Sequence, residues 1–202
     1  PALLAGLLLG VTLIAGWSGW KLYTARQAQQ ASTEYEHLRK VLQSGDTKHA
    51  VEITGRLTAD YARTPYAAMA SLMLAADQVQ RNQFDAALPQ YQWVAEHADD
   101  RKLRQVANLR RARLLWSMGR SEEALAALQT RRPGNFAPLF AELRGDILAA
   151  QGRRDEARQA YTEAMAADTP PEQRAGIELK LNDLNSQEPA SAANPPAVPK
   201  DG

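Results

Sequence analysis

The chain has 202 residues, enough for one ordinary domain with additional segments. Its 24 basic and 23 acidic residues nearly cancel, so the net charge gives no reason to expect a nucleic-acid partner. Because the sequence contains no cysteine, it excludes disulfides, thiolate nucleophiles and cysteine-ligated metal centres.

The first segment, residues 1–20, contains no charged residue and only two polar side chains. Twenty helical residues span roughly 30 Å, the hydrocarbon thickness of a bilayer. Aromatic residues then surround Lys21, which is typical of a membrane interface, namely Trp17, Trp20 and Tyr23. We therefore predict that residues 1–23 form a transmembrane anchor.

Two other interpretations of this segment are a cleaved signal peptide and a buried core helix. The apolar run is long for a signal peptide, and no Ala-x-Ala site follows it. A helix without a polar face suits lipid better than a water-exposed domain. The charges that flank the segment leave its orientation open.

Small residues recur along the predicted anchor. Gly6 and Gly10 form a Gly-x-x-x-Gly motif, and Gly16 continues the small-residue pattern. Such spacing lets a second membrane helix approach closely, so these three glycines are candidate helix contacts. The alternative is that glycine is simply common in membrane helices.

From residue 24 to residue 185 the chain repeats one pattern of two short helices around a turn. The copies begin 37, 37 and 33 residues apart, a period typical of tetratricopeptide repeats. Each copy has a small or apolar residue, a large residue, a turn residue, an alanine (positions 50, 87, 124 and 157) and a larger residue. In order these are Leu38, Val41, Gly45, Ala50 and Thr54; Ala75, Gln78, Asn82, Ala87 and Tyr91; Ala112, Leu115, Gly119, Ala124 and Leu128; and Gly145, Leu148, Gly152, Ala157 and Tyr161.

This repetition predicts an all-α fold, in which an N-terminal transmembrane helix precedes a tetratricopeptide-like solenoid of helical hairpins. We expect about four hairpins and a capping helix within residues 24–185. The capping helix begins near Pro170 and carries Ile177, Leu181 and Leu184 to cover the end of the array. Residues 186–202 are rich in proline and alanine and are predicted to be a disordered tail.

No pattern in the sequence indicates catalysis, a cofactor or a metal. The three histidines have no metal-ligand spacing, and no phosphate-binding loop follows a strand. The carboxylate pairs, Asp99-Asp100 and Glu122-Glu123, occur where helices begin and suit the positive end of a helix dipole. We therefore predict a protein that is not an enzyme.

One basic stretch suggests a binding site for protein partners. Between Arg101 and Arg120 there are seven basic residues and no acidic one. Arg110 and Arg113 share a face of the first helix of the third hairpin, and first helices line the groove of tetratricopeptide arrays. They are candidates for binding the carboxylates of a partner. The alternative is a solvated face with ion pairs to Glu142 or Asp146.

With its order of anchor and repeats, the chain resembles the YfgM family, the ancillary subunits of the bacterial SecYEG translocon. The resemblance spans nearly the whole chain apart from the proline-rich tail. The residues that carry it are Leu9-Gly10-Val11 to Gly16-Trp17, Tyr66-x-Ala-x-Ala-Ser-Leu, Asn108-Leu-Arg-x-Ala-Arg-Leu, and Leu143-Arg-Gly-Asp with Gly152-x-x-x-x-Ala-Arg.

The resemblance implies a single-pass protein of the bacterial inner membrane, with a cytoplasmic N-terminus and a periplasmic repeat domain. The implied partners are the SecYEG translocon, the periplasmic chaperone PpiD and client polypeptides that emerge from the translocon. No small-molecule substrate is implied. The residues themselves leave open another role, a tetratricopeptide scaffold for assembling a different envelope complex, for example in cytochrome maturation.

Overall fold

The computed structural model describes the backbone of residues 2–130, 133–166 and 169–186, and the side chains within those ranges from residue 16 onward, except residue 185. These residues form nine α-helices and one short 3-10 helix, and they contain no strand. The predicted all-α fold is confirmed for this part of the chain. The helices are α1 (Ala2–Ser44), α2 (Thr47–Asp60), α3 (Pro65–Gln80), α4 (Phe84–His97), α5 (Arg101–Ser117), α6 (Ser121–Ala127), α7 (Ala137–Ala150), α8 (Arg154–Ala166) and α9 (Pro171–Ser186), with the 3-10 helix at Gly134–Phe136.

The four turn residues of the repeat pattern adopt the same backbone conformation. Gly45, Asn82, Gly119 and Gly152 have φ angles of 81°, 59°, 77° and 76°. In every case the next residue donates a backbone hydrogen bond of 2.8 to 3.2 Å to the carbonyl five positions back. This is the Schellman ending of a helix, and the repeated large residue of the pattern supplies the carbonyl each time. The turns of the structure thus have the register that the internal repeat pattern predicted.

The four alanines of the repeat pattern are completely buried. Ala50, Ala87, Ala124 and Ala157 are all 0% exposed. Each lies five residues after its turn residue, near the start of the returning helix, and Ala50, Ala87 and Ala157 pack against the preceding helix of their own unit. A larger side chain at such a position would force the two helices apart.

Two compact units make up the chain, Pro1–Arg120 and Ser121–Gly202. The first contains α1 to α5 and has two apolar clusters, one among α1, α2 and α3 and another among α3, α4 and α5. The second contains α6 to α9, and its apolar cluster joins α7, α8 and α9. The boundary falls within the third predicted hairpin, between α5 and α6.

Helix α9 covers the hairpin of α7 and α8 within the second unit. Ile177 is 0% exposed and Leu184 is 7% exposed. A polar cluster beside them includes Lys180, whose Nζ lies 2.8 Å from Glu142 Oε1 and 2.8 Å from Asp146 Oδ1. Both carboxylates that the sequence offered as partners for Arg110 and Arg113 are thus engaged by α9.

The predicted anchor lies mostly outside the described side chains. The backbone of α1 is one continuous helix of 43 residues from Ala2. Among residues with described side chains, no helix combines the length and apolar character that crossing a membrane requires. The side chains of residues 1–15, including positions Gly6 and Gly10, lie outside that description. Gly16 is exposed and has no neighbouring atom within 4 Å of a Cβ built on it.

Candidate partner-binding groove

Arg110 and Arg113 lie on the exposed side of α5, one turn apart. At this spacing their Cβ atoms are about 5–6 Å apart. Both line the same cavity of about 580 Å³ in the first unit, which is in the size range of ligand-binding clefts. The remaining lining residues are Ala76, Val79, Gln80, Asn82, Phe84, Tyr91, Leu114 and Ser117. Helices α3, α4 and α5 therefore meet around the two arginines.

The floor of this cavity is apolar and partly aromatic. Tyr91 is only 4% exposed, and Phe84 packs partly buried against the same apolar cluster. Burial raises the pKa of Tyr91 above its usual value, and the positive charge of Arg110 partly offsets that rise. The phenol ring therefore stays neutral at physiological pH beneath a cationic rim.

A second cavity continues from the first along the surface of α3. It has a volume of about 330 Å³ and shares Ala76 and Gln80 with the first cavity. Its other lining residues come from α1 and α3: Arg39, Leu42, Gln43, Met73 and Asp77. The two cavities form one groove across α1, α3 and α5, the first helices of the first three hairpins. We call this the repeat groove.

Charge is distributed unevenly along the repeat groove. At the α1 end, Arg39 is paired with Glu36 at 3.1 Å and Asp77 is paired with Arg81 at 2.8 Å. At the α5 end, Arg110 and Arg113 make no hydrogen bond or ion pair with any described residue of their own unit. The α5 end is therefore the part of the groove with cationic donors available to a partner.

The α5 end of the groove is suited to binding a carboxylate beside an apolar group. A guanidinium offers a planar set of N–H donors that matches a carboxylate in a bidentate geometry. An apolar side chain of the same partner can lie on the floor between Phe84 and Leu114. The one lining serine, Ser117, donates its hydroxyl to the carbonyl of Leu114 in its own helix at 2.8 Å.

Sequence reasoning missed the aromatic floor. Tyr91 occupies the same repeat position as Tyr161, so the pattern assigned it to the core. Its ring is buried, as that assignment requires, but one side of it also lines the groove. Phe84 lies two residues after the turn residue Asn82 and has no place in the repeat pattern. An aromatic residue at the start of a returning helix, outside the repeat positions, is the signal that would have found it.

Comparison with known proteins matches nearly the whole chain. The family model described as tetratricopeptide repeat-like domain covers residues 1–186. A protein of Escherichia coli (strain K12) named ancillary SecYEG translocon subunit is 30% identical over 184 residues, which is 91% of this chain and 88% of the relative. Proteins with the same name occur in Neisseria gonorrhoeae (strain ATCC 700825 / FA 1090), 30% identical over 85% of this chain and 83% of the relative, and in Haemophilus influenzae (strain ATCC 51907 / DSM 11121 / KW20 / Rd), 27% identical over 90% and 88%.

Proposed function

This chain belongs to the family of ancillary SecYEG translocon subunits and carries a tetratricopeptide repeat-like domain, and on that premise we propose that it is a membrane-anchored protein-interaction subunit of the Sec translocon. Its anchor is α1, held in the inner membrane as a single span through residues 1–23. Its N-terminus is cytoplasmic and its repeat domain is periplasmic. It associates with SecYEG and with a PpiD-like chaperone, and it assists polypeptides after their translocation.

Three features support this proposal. The names of the relatives supply the association with the translocon. The uncharged run of residues 1–20 and its aromatic border supply the anchor. The repeat groove supplies a surface of the kind that tetratricopeptide arrays use to hold other polypeptides. Glycines 6, 10 and 16 are the proposed contacts of the anchor with another membrane helix.

The single observation that carries the binding role is the pairing of an apolar floor with two arginines that have no acidic partner in their own unit. Exposed arginines without an acidic partner add little to the stability of the free protein. A partner with an acidic residue next to an apolar one satisfies both parts of the surface. We therefore assign the binding of acidic segments of protein partners to Arg110 and Arg113.

The proposal is tested by purifying the tagged full chain from membranes in a mild detergent. We expect SecYEG and the chaperone to co-purify with the wild-type chain. The Arg110→Ala/Arg113→Ala variant should recover less of at least one partner. The matched control is Arg101→Ala/Lys102→Ala, which removes the same charge from exposed positions of the same helix outside the groove.

Each result of this purification has a distinct meaning. Equal recovery by both double variants would end the groove proposal while leaving the translocon association intact. Recovery of a different envelope complex in place of SecYEG, such as a cytochrome maturation complex, would overturn the proposed function itself. A chain that is absent from the membrane fraction would overturn the anchor.

A further inference from the structure

A third cavity of the first unit, separate from the two that form the repeat groove, lies where α1 passes the loop between α2 and α3. It has a volume of about 460 Å³ and is lined by α1 between Trp20 and Ala28 and by residues 59–65. Its α1 wall includes Trp20 and Tyr23, which are 55% and 57% exposed. Large aromatic side chains left this exposed indicate an environment that is not plain water.

The loop that closes this cavity is short and internally bonded. The carbonyl of Tyr61 accepts hydrogen bonds from the backbone N–H and from the hydroxyl of Thr64, both at 2.8 Å. The N–H of Tyr61 donates to the carbonyl of Leu57 at the end of α2, and Pro65 begins α3. The backbone on both sides of Arg63 is thereby held in a defined turn, and the exposed Arg63 lines the cavity.

The charges around the cavity favour an anionic occupant. Arg63 lines it and makes no ion pair with a described residue of its own unit, and Lys21 and Arg26 are exposed on the adjoining stretch of α1. Lys21 lies 4.3 Å from the centre of the Trp17 ring. The one acidic lining residue is Asp60. The lining therefore holds one cation and one carboxylate, and Lys21 and Arg26 add positive charge on the adjoining stretch of α1.

The continuity of α1 sets the level of this cavity relative to the proposed anchor. Helix α1 runs without interruption from Ala2 to Ser44. From Trp20 to Ala28 it rises by about 12 Å. If Trp20 and Tyr23 occupy the interfacial layer, as amphipathic aromatics do, the loop with Arg63 is held beside the lipid headgroups.

We propose that this cavity binds the headgroup of an anionic phospholipid of the bilayer in which α1 is anchored. Arg63 binds the phosphate, and Trp20 and Tyr23 pack against the glycerol and the upper part of the acyl chains. The inference rests on the proposed membrane anchor. It adds a second membrane contact, which fixes the orientation of the first unit above the lipid surface.

The test uses the full chain in liposomes and exploits the absence of cysteine. Ala59→Cys gives a unique label site at the cavity, and Ala86→Cys gives an exposed control at the start of α4, beyond the far end of α3. Each variant is labelled with bimane, whose fluorescence is quenched by phosphatidylcholine that carries a nitroxide on its headgroup. Vesicles are made of phosphatidylcholine alone or with one quarter phosphatidylglycerol.

We expect at least twofold stronger quenching at position 59 than at position 86, and a further increase when phosphatidylglycerol is present. Arg63→Gln should abolish the increase that phosphatidylglycerol causes, and its circular-dichroism spectrum should match that of the parent. Flotation of the vesicles on a density gradient reports independently whether the chain is anchored.

The two proposals fail in different ways. Chain that floats with the vesicles but shows equal quenching at both positions keeps the anchor and overturns the lipid site. Stronger quenching at position 59 that ignores phosphatidylglycerol, or that Arg63→Gln leaves unchanged, overturns the assignment of an anionic headgroup. Chain that does not float overturns the anchor and the lipid site together.

Discussion

Gly145 on α7 and Tyr161 on α8 are so close that no side chain fits between their helices. A Cβ atom built on Gly145 would lie 2.5 Å from both Cδ1 and Cε1 of the Tyr161 ring. The ring is held there by its hydroxyl, which donates a hydrogen bond of 2.8 Å to Asp146 Oδ1. The hairpin of α7 and α8 therefore depends on a glycine in the middle of a helix, where glycine is otherwise unfavourable.

We predict that Gly145→Ala destabilises the protein. Helix propensity alone favours alanine by roughly 1 kcal/mol. Overpacking against the Tyr161 ring opposes this gain and costs about 1–3 kcal/mol. The ring cannot move away easily, because Tyr161 is 3% exposed and packs in the same apolar cluster as α9. The net result should be a lower midpoint in urea unfolding, measured by circular dichroism.

Gly176→Ala is the matched control for this substitution. Gly176 also lies inside a helix of the second unit, but nothing lies within 4 Å of a Cβ built on it. It should stabilise the protein by up to ~1 kcal/mol. Combining Gly145→Ala with Tyr161→Leu should recover part of the loss, and a stabilising Gly145→Ala would contradict the close approach.

Asn82 gives a second prediction, because it is the one turn residue of the four that is not glycine. Its φ of 59° is tolerated by asparagine and is strained for alanine. Asn82→Gly should leave stability nearly unchanged, whereas Asn82→Ala should lower the free energy of unfolding by about 1 kcal/mol. Chemical denaturation of both variants checks this. Equal stability of the two would show that the backbone conformation does not limit the choice of residue here.

Features with a local cause could be predicted from the sequence. The turn at Gly119 and the buried alanines 87 and 124 follow from backbone conformation and helix spacing, which act within a few residues. Asp100 also acts as expected, because its carboxylate accepts a hydrogen bond from the N–H of Lys102 at the start of α5.

Features that depend on distant segments could not be predicted. The contact of Lys180 with Asp146 joins residues 34 positions apart, and nothing in the repeat pattern gives their alignment. The cavity beside Trp20 requires residues 59–65 to fold back onto α1. Tyr91 lines a groove only because α3 and α5 pack on either side of it. Such contacts are set by packing and have no signature in sequence spacing.

A third prediction concerns the pH response of the turn between α1 and α2. The carboxylate of Asp46 lies 2.5 Å from Nδ1 of His49. It also accepts a hydrogen bond of 3.1 Å from the backbone N–H of His49. The side-chain hydrogen bond raises the pKa of His49 above its usual 6.5, and the bond from the His49 backbone lowers the pKa of Asp46 below its usual 3.8.

The stabilising contribution of His49 is therefore fully present below pH 6.5 and is lost as the pH rises through its raised pKa. The stabilising contribution of Asp46 is present above pH 3.8 and is lost as the pH falls through the lowered pKa of Asp46. Titration of His49 by NMR should give a pKa above 6.5, which Asp46→Asn returns toward 6.5 while keeping a good helix cap. Asp60→Asn, on the same helix as His49, should leave the pKa of His49 unchanged. A His49 pKa at its usual value in the wild-type chain would refute the pairing with Asp46.

The fourth prediction tests the chemistry of the repeat groove with a defined ligand. A fluorescein-labelled decapeptide of alternating glutamate and leucine offers carboxylates to Arg110 and Arg113 and apolar side chains to the floor beneath them. Because both arginines are exposed, each should contribute about 0.5–1 kcal/mol, so each single change to alanine should weaken binding roughly 2- to 5-fold. Fluorescence polarisation measures the dissociation constant.

Three comparisons separate the charge of the rim from the apolar floor. The same peptide with glutamine in place of glutamate, with the dye and the blocked C-terminus unchanged, should bind the wild-type chain more weakly. It should respond less to Arg110→Ala and to added salt, because its side chains carry no carboxylate. Phe84→Ala removes part of the floor and should weaken both peptides alike. Arg101→Ala, which removes one charge from α5 outside the groove as Arg110→Ala does within it, should leave both affinities nearly unchanged. If glutamate and glutamine peptides bind the wild-type chain equally well, Arg110 and Arg113 do not recognise carboxylates and belong to the solvated surface of α5.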